Sequence, residues 1–204
     1  MKYRLIVPLA LACCVAVAFA QTNGDLSRSP QDVLQRFWKV ENDGSRLTEN
    51  GWYEATEFFS GKPIPPPVNK IIFVVSNDCS LATTSVTATK AELYLFCLHF
   101  QRLNSKLQLE KSPTSAPNGE PIVQGMLIPF KLAHSDKHWE LSRGRGEPRE
   151  VKGVLEWRID GFPSNYFLNT NTALRYVIQI RNQTTDPAIK RNADETIATL
   201  ERQR

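Results

Sequence analysis

Two histidines, His134 and His138, stand four residues apart in the stretch "LAHSDKHWEL", and the chain has only three histidines. On a helix, this spacing places both imidazoles on one face, where their neutral ring nitrogens can bind zinc. A helix-borne zinc site of this spacing carries a catalytic Glu directly after the first histidine, and here that residue is Ser135. The flanking residues are typical of a strand and a turn rather than a helix. We therefore expect no metal at this pair.

The same stretch predicts a β-hairpin in which "HWEL" pairs back on the strand "QGMLIPFKLAHS". A three-residue loop would place the two histidines face to face. A two- or four-residue loop places one apolar set on a single face and turns His138 to the other side. Because a slip of one residue moves every side chain across the sheet, the apolar pattern favours the second register. Its apolar face comprises Phe130, Leu132, His134, Trp139 and Leu141.

Two further residues are candidates for acid–base catalysis. His99 ends a largely apolar strand face, and Asp78 stands beside Cys79 at the end of another predicted strand. Either can act as a general base, and the commoner alternatives are a hydrogen-bonded structural histidine and a turn-capping Asp. The sequence contains no GxSxG, P-loop, CxxC or strand-associated GxGxxG motif. It therefore defines no catalytic constellation and implies no cofactor.

The first 20 residues have the pattern of a secretory signal peptide. Lys2 and Arg4 precede an apolar run, and Ala18-Phe19-Ala20 forms a small-x-small cleavage site. This predicts a mature chain of residues 21–204, as a single domain, in the periplasm or secreted. A lipoprotein anchored through Cys14 is the less favoured alternative. No later apolar run is long enough to span a bilayer.

Two cysteines, Cys79 and Cys97, remain after cleavage. An oxidising compartment allows them to form a disulfide, which we favour over the alternative of two separate buried thiols. The formal charge of +4 falls to +2 without Lys2 and Arg4. That charge is too small for a nucleic-acid-binding surface, so we expect no nucleic-acid partner.

Helical and strand periodicities follow each other along the chain. "SPQDVLQRFWKVEND" predicts a helix with Ser29 as N-cap and Pro30 at its first position, and "TENGWYEATEFF" predicts a second helix capped by Thr48. From Lys70 the period is two: "IIFVV" is apolar on both faces, "KAELYLFCLHF" is apolar in nearly all of both sets, and "VKGVLEWRI" adds another strand. The fold class is α+β, with helices packed on a curved antiparallel sheet of about five to six strands.

The C-terminal region, residues 170–203, predicts a helical hairpin. Residues 172–182 alternate well enough for a strand, but they also form a helical stripe with Asn171 available as cap. We favour the helix because Asp186 and Pro187 begin a clear second helix directly afterwards.

Residues 29–160 resemble the nuclear-transport-factor-like cone fold, also called cystatin-like, which includes ketosteroid isomerases, some dehydratases and polyketide-cyclase relatives. "DVLQRFW", "GWYEATEFF" and the strands from Ile71 to Ile159 carry the resemblance. The chain also resembles secreted bacterial proteins of unknown function. No catalytic residue of the isomerases matches a position here, and the C-terminal hairpin departs from the family pattern.

The resemblance implies a pocket between sheet and helices, lined by Tyr94, Phe96, Phe130 and Trp157 unless these are ordinary core residues. We expect an exported binding module that takes either a small apolar ligand in this pocket or a protein partner on the sheet. A homodimer is left open. The alternatives are an isomerase- or dehydratase-type enzyme using His99 or Asp78, and a structural envelope protein that docks through its C-terminal helices.

Overall fold

The computed structural model describes residues 29–48, 51–52, 55–63, 71–75, 79–110, 125–140, 149–161 and 163–204. The predicted α+β class is confirmed. Within these ranges lie two short 3-10 turns, Ser45–Leu47 and Thr56–Phe58, together with three α-helices and eight strands. The helices are α1 (Pro30–Asn42), α2 (Thr170–Gln183) and α3 (Pro187–Glu201). The strands are β1 (Ile71–Val75), β2 (Ser80–Val86), β3 (Lys90–Cys97), β4 (Phe100–Leu103), β5 (Leu109–Glu110), β6 (Met126–Glu140), β7 (Arg149–Ile159) and β8 (Asn165–Asn169).

The strands form two four-stranded sheets, ordered β2-β3-β6-β7 and β5-β4-β1-β8, rather than one sheet of five to six strands. All pairs are antiparallel except β1 and β8, which run parallel with Ile71 opposite Asn165. Strand β8 was not predicted, because "NYFLN" is a five-residue strand that begins and ends in Asn, a residue depleted in strands.

Two apolar clusters fill the spaces between the layers. The first lies between α1 and the inner face of β2-β3-β6-β7, and the second lies between β5-β4-β1-β8 and the C-terminal helices. Strand β1 contributes to both, since Val75 belongs to the first cluster and Ile72 and Val74 to the second. The prediction that "IIFVV" is covered on both faces is therefore confirmed.

Cys79 and Cys97 form a disulfide, with an S–S distance of 2.00 Å and a Cα–Cα distance of 4.1 Å. They lie where the chain crosses between the sheets, since Val75 pairs with Phe100 in one sheet and Ser80 pairs with Phe96 in the other. Strands β1–β2 and β3–β4 are thus the two sides of one bent hairpin. The disulfide joins these sides at the bend.

The helix ends follow their cap residues. Ser29 and Asp32 form the reciprocal hydrogen bonds of a capping box at the start of α1, with Pro30 at the first position. In the second predicted helix, Thr48 Oγ1 accepts a hydrogen bond from Gly51 N at 3.1 Å, as a cap should. That region ends in the 3-10 turn Thr56–Phe58 rather than an α-helical turn.

The C-terminal helical hairpin is also present, and residues 172–182 are helical as favoured. The cap of α2 is Asn169 rather than Asn171, and its Oδ1 accepts from Thr172 N at 2.8 Å. Asp186 caps α3, as predicted. Both helices bury their apolar stripes in the second cluster, where Val177 and Leu200 are 0% exposed. No helix in the described ranges has the length and apolarity needed to cross a membrane.

A buried ion pair holds β8 against the end of α1. Arg46 and Glu41 are each 1% exposed, and Arg46 donates Nε to Oε2 at 2.6 Å and Nη2 to Oε1 at 2.7 Å. Arg46 also donates to the carbonyl oxygens of Pro163 at 2.7 Å and Asn165 at 2.5 Å. The chain turns back between the two charged residues at Gly44, whose φ of 76° is one that L side chains rarely adopt.

The predicted hairpin around Ser135 is wrong, because β6 continues without interruption to Glu140 and pairs with β7 instead. The ladder shifts between Ser135 and Lys137, so that Asp136 faces the three residues Gly153–Leu155 in a bulge of β7. The polar run that looks like a turn is therefore the part of β6 that passes the bulge. Leu141 lies outside the described residues.

Candidate binding surface

The structure places the four predicted ligand-binding residues in three different surroundings. Phe130 is 5% exposed and lies in the first cluster, with its ring centroid 5.9 Å from that of Phe37. Trp157 packs at the margin of that cluster, and its ring centroid lies 4.0 Å from that of His134. Tyr94 and Phe96 alternate with the buried residues of β3 and so face the opposite side of the sheet. The four residues do not share a pocket.

Tyr94 and Phe96 instead belong to an apolar patch on the outer face of the sheet. Directly opposite residues on antiparallel strands share a face. Phe96 lies opposite Leu127 and Tyr94 lies opposite Pro129, on the central pair of strands β3 and β6. We call these four residues the outer-face patch. Leu127 is 58% exposed, Pro129 is exposed, and the two aromatic side chains are partly exposed.

Strict alternation in β3 and β6 produces this patch. Leu93, Leu95, Ile128 and Phe130 fill the inner face, which leaves the residues between them on the outer face. The ring of Phe96 lies directly on Gly125, where an added Cβ would come within 2.0 Å of Cε2. A side chain at that position would displace the ring, so the lack of a Cβ at Gly125 allows Phe96 to keep its position.

The surroundings of the patch are small or charged. On the β2 side, Ser80 lies opposite Phe96 and Ala82 lies opposite Tyr94. One row further along, the exposed side chains of Glu92 and Lys131 lie opposite each other. An apolar centre with a polar margin is the usual composition of a protein–protein interface.

His134 and His138 both lie on strand β6, and both are partly buried. Four residues along a strand span about 13 Å, which is too far for two imidazoles to share an ion. His138 packs on Gly153 in the bulge, and its Nε2 lies 3.6 Å from Glu140 Oε1. Among the described residues, no group of three or more His, Cys, Asp or Glu could hold a metal ion.

His99 lies exposed in the short link between β3 and β4. Within the described residues, its side chain makes no hydrogen bond or ion pair that would orient it as a base. Asp78 lies outside the described residues. The catalytic role of these two residues stays a prediction.

Residues 136–140 of β6 and 149–152 of β7, at the end of this strand pair, form a ladder of ion pairs. Lys137 donates to Glu150 at 2.9 Å, and this hydrogen bond raises the pKa of Lys137. Arg149 lies 3.1 Å from Glu140, and Lys152 lies 3.5 Å from Asp136. Opposite charges alternate along the ladder, so it presents no single-sign surface to a charged partner.

Arg158, nearer the body of the protein, is 7% exposed and donates to the backbone oxygen of Glu57. Burial lowers the pKa of Arg158, and the nearby Glu156 and Glu57 oppose that effect. With its guanidinium held between β7 and the turn Thr56–Phe58, this residue is part of the scaffold.

Leu127, Pro129 and Gly125 were not predicted to be part of a binding site. The available signal was the alternation of "MLIPF", which puts Leu127 and Pro129 on the face opposite Ile128 and Phe130.

No family model, curated protein or solved structure gives a significant match to this chain.

Proposed function

We propose that the protein is an exported, non-catalytic interaction module that binds a protein partner on the outer face of its β2-β3-β6-β7 sheet. The outer-face patch carries this proposal. A surface Leu that is 58% exposed beside two aromatic rings and a proline leaves apolar area in water, which binding would remove. The signal-peptide pattern of residues 1–20 and the Cys79–Cys97 disulfide support export, because disulfides persist in oxidising compartments.

The other functions that the sequence predicts have less support. A small apolar ligand would need a shared pocket, yet Phe130 lies in the core and Tyr94 and Phe96 lie on the opposite face of the sheet. Docking through the C-terminal helices would need a free apolar stripe, yet residues such as Leu200 are buried in the second cluster. An enzyme of the cone-fold type would need a base with an orienting partner, and His99 has none among the described residues.

The test is site-specific photo-crosslinking in cells that make the protein. The photoreactive residue p-benzoylphenylalanine replaces Leu127 in one variant and Val154 in a matched control. Val154 is 64% exposed and lies on β7, away from the patch. We expect a discrete crosslinked species at position 127 only, and a product of twice the chain mass would identify a second copy as the partner.

Leu127→Asp in the unlabelled chain should compete poorly for this partner, whereas Val154→Asp should compete as the wild type does. Both substitutions lie at exposed positions and should change stability by less than about 0.5 kcal/mol. Equal crosslinking at both positions, or none at position 127, would refute the proposal.

A further inference from the structure

A polar groove of about 340 Å³ lies between the β4–β5 hairpin and α3. It belongs to the other sheet and is separate from the outer-face patch. Of the nine described residues that line it, eight carry a carboxamide, hydroxyl or carboxylate group, and the ninth is Leu109. Its volume is at the low end of the range found for ligand sites, which suits a ligand smaller than a typical drug.

The wall formed by the β4–β5 turn is held in place before any ligand arrives. Asn104 Oδ1 accepts from the backbone N–H groups of Lys106 and Gln108, both at 3.0 Å. Asn104 Nδ2 donates to Glu110 Oε1 at 3.2 Å. A ligand bound here would not have to order this turn, so less of its binding free energy is lost to ordering.

Helix α3 holds the same turn from the other side through side-chain hydrogen bonds. Leu107 has a φ of 60°, a conformation uncommon for Leu, and its carbonyl oxygen accepts from the buried Thr196 hydroxyl at 2.7 Å. Asn192 Nδ2 donates to the carbonyl oxygen of Lys106 at 3.0 Å. The two walls of the groove are therefore joined by hydrogen bonds.

One acceptor in the groove stays unpaired within the described part of the chain. Gln101 Oε1 is shielded from solvent and has no hydrogen-bond partner among the described residues. A buried acceptor without a partner is unfavourable, and a ligand donor would relieve it once the partly exposed Gln101 side chain turns Oε1 towards the groove. Among the described residues, Asn192 Oδ1 accepts one long hydrogen bond, from Gln108 Nε2 at 3.4 Å, and it has capacity for another.

We propose that this groove binds a neutral polyhydroxyl ligand of the size of one or two sugar units. Free acceptors call for a ligand with hydrogen-bond donors, and hydroxyl groups supply these without charge; the carboxylates of Glu110 and Glu195 disfavour anions. Arg102 lies 3.7 Å from Glu110 and offsets part of that charge, which disfavours a strongly cationic ligand. Polar groups are distributed over the whole lining and Leu109 is the one apolar side chain among the described residues there, so a ligand that carries both hydroxyl groups and C–H surface fits better than a wholly apolar one.

The test is an NMR titration of the full mature chain with glucose, N-acetylglucosamine and maltose. Glucose 6-phosphate and spermidine serve as the anionic and cationic comparisons. We expect a neutral sugar to shift amide resonances of residues 101–110 and 192–199, with a Kd of about 1 mM. Tighter binding of a neutral oligosaccharide than of the single sugar at its end would identify a glycan, rather than a free sugar, as the source of the ligand.

Gln101→Leu removes the orphaned acceptor and keeps a similar shape. It should weaken sugar binding about tenfold, the effect of one hydrogen bond, without lowering the midpoint of urea unfolding. The matched control is Gln179→Leu, at an exposed position on α2, which should bind as the wild type does.

No shift with any neutral sugar, tighter binding of the phosphate or the polyamine, or undiminished binding by Gln101→Leu would each overturn the proposal. None of these results depends on the outer-face patch, so failure here is distinguishable from failure of the proposed protein interaction.

Discussion

Replacing Arg46 with Met should lower the free energy of unfolding by about 3–5 kcal/mol. The guanidinium is 1% exposed, pairs with Glu41 through two hydrogen bonds and donates to the carbonyl oxygens of Pro163 and Asn165. Met occupies a similar volume but donates nothing. It would leave a buried carboxylate without its cationic partner and remove a donor from two backbone oxygens, which is why we expect a large loss.

The second arm of this experiment removes both charges. Glu41→Leu with Arg46→Met should lose less than the sum of the single losses, with a coupling energy of about 0.5–3 kcal/mol. The double variant will not recover fully, because Phe167 N donates to Glu41 Oε1 at 2.9 Å and would lose that acceptor. If Arg46→Met does not fold, Arg46→Lys keeps the charge and loses only the planar fork of donors.

Urea unfolding, followed by tryptophan fluorescence and far-UV circular dichroism, measures each variant. The matched control is Arg181→Met, because Arg181 Nε lies 2.6 Å from Asp194 Oδ1, the same distance as in the buried pair, but on the surface. That variant should change stability little. A loss below about 1 kcal/mol for Arg46→Met, or full additivity in the double variant, would refute the view that the buried pair holds β8 in place.

Two further predictions concern the disulfide and alkaline pH. Reduction of Cys79–Cys97, which spans 18 positions, should lower the free energy of unfolding by about 3 kcal/mol through loop entropy. Urea unfolding with and without a phosphine reductant measures this, and an unchanged midpoint would contradict it. Burial raises the pKa of Tyr176 above its ordinary 10.0, so the folded state keeps a proton that the unfolded chain releases. The contribution of Tyr176 to the free energy of unfolding should therefore be fully present below about pH 10 and be lost as the pH rises through the folded pKa. The Tyr176→Phe variant should show a smaller loss of stability at alkaline pH, measured by urea unfolding across that range. An identical loss in both proteins would count against this prediction.

Local signals in the sequence predicted the helices well. The Ser29–Pro30 start of α1 and the Asp186–Pro187 start of α3 depend on residues within one turn of each other, so the sequence alone contains the information. The Cys79–Cys97 disulfide could be favoured but not established from the sequence, because two cysteines do not reveal their separation in space. The bend of the β1–β2 and β3–β4 hairpin brings them together.

Long-range pairing decided what the sequence could not show. "HSDKH" has the composition of a turn, and only its pairing with β7 makes it a strand that passes a bulge. Strand β8 is recognisable only beside β1, far earlier in the chain. Likewise, Glu41 and Arg46 look like ordinary surface charges until the chain turns at Gly44 and β8 supplies their other partners.

The candidate surface was half predictable for a related reason. Alternation in "KAELYLFCLHF" placed Tyr94 and Phe96 on one face, but both faces of β3 are apolar. Which face is covered depends on the side on which α1 packs, and strand periodicity contains no information about that. The polar groove could not be predicted either, because its two walls lie about ninety positions apart in the chain.

Because β1 pairs in parallel with β8, the sheet that contains them can be completed only late in the synthesis of the chain. Strand β4 can pair with one edge of β1 early in synthesis, but the other edge stays open until the polypeptide has been made as far as Asn169. Nascent chains that stop short of that residue would display an unsatisfied row of β1 amides and carbonyls, the kind of edge on which other strands aggregate. The last quarter of this polypeptide therefore completes a sheet begun in its first half, and proteolytic resistance should appear abruptly once it is made.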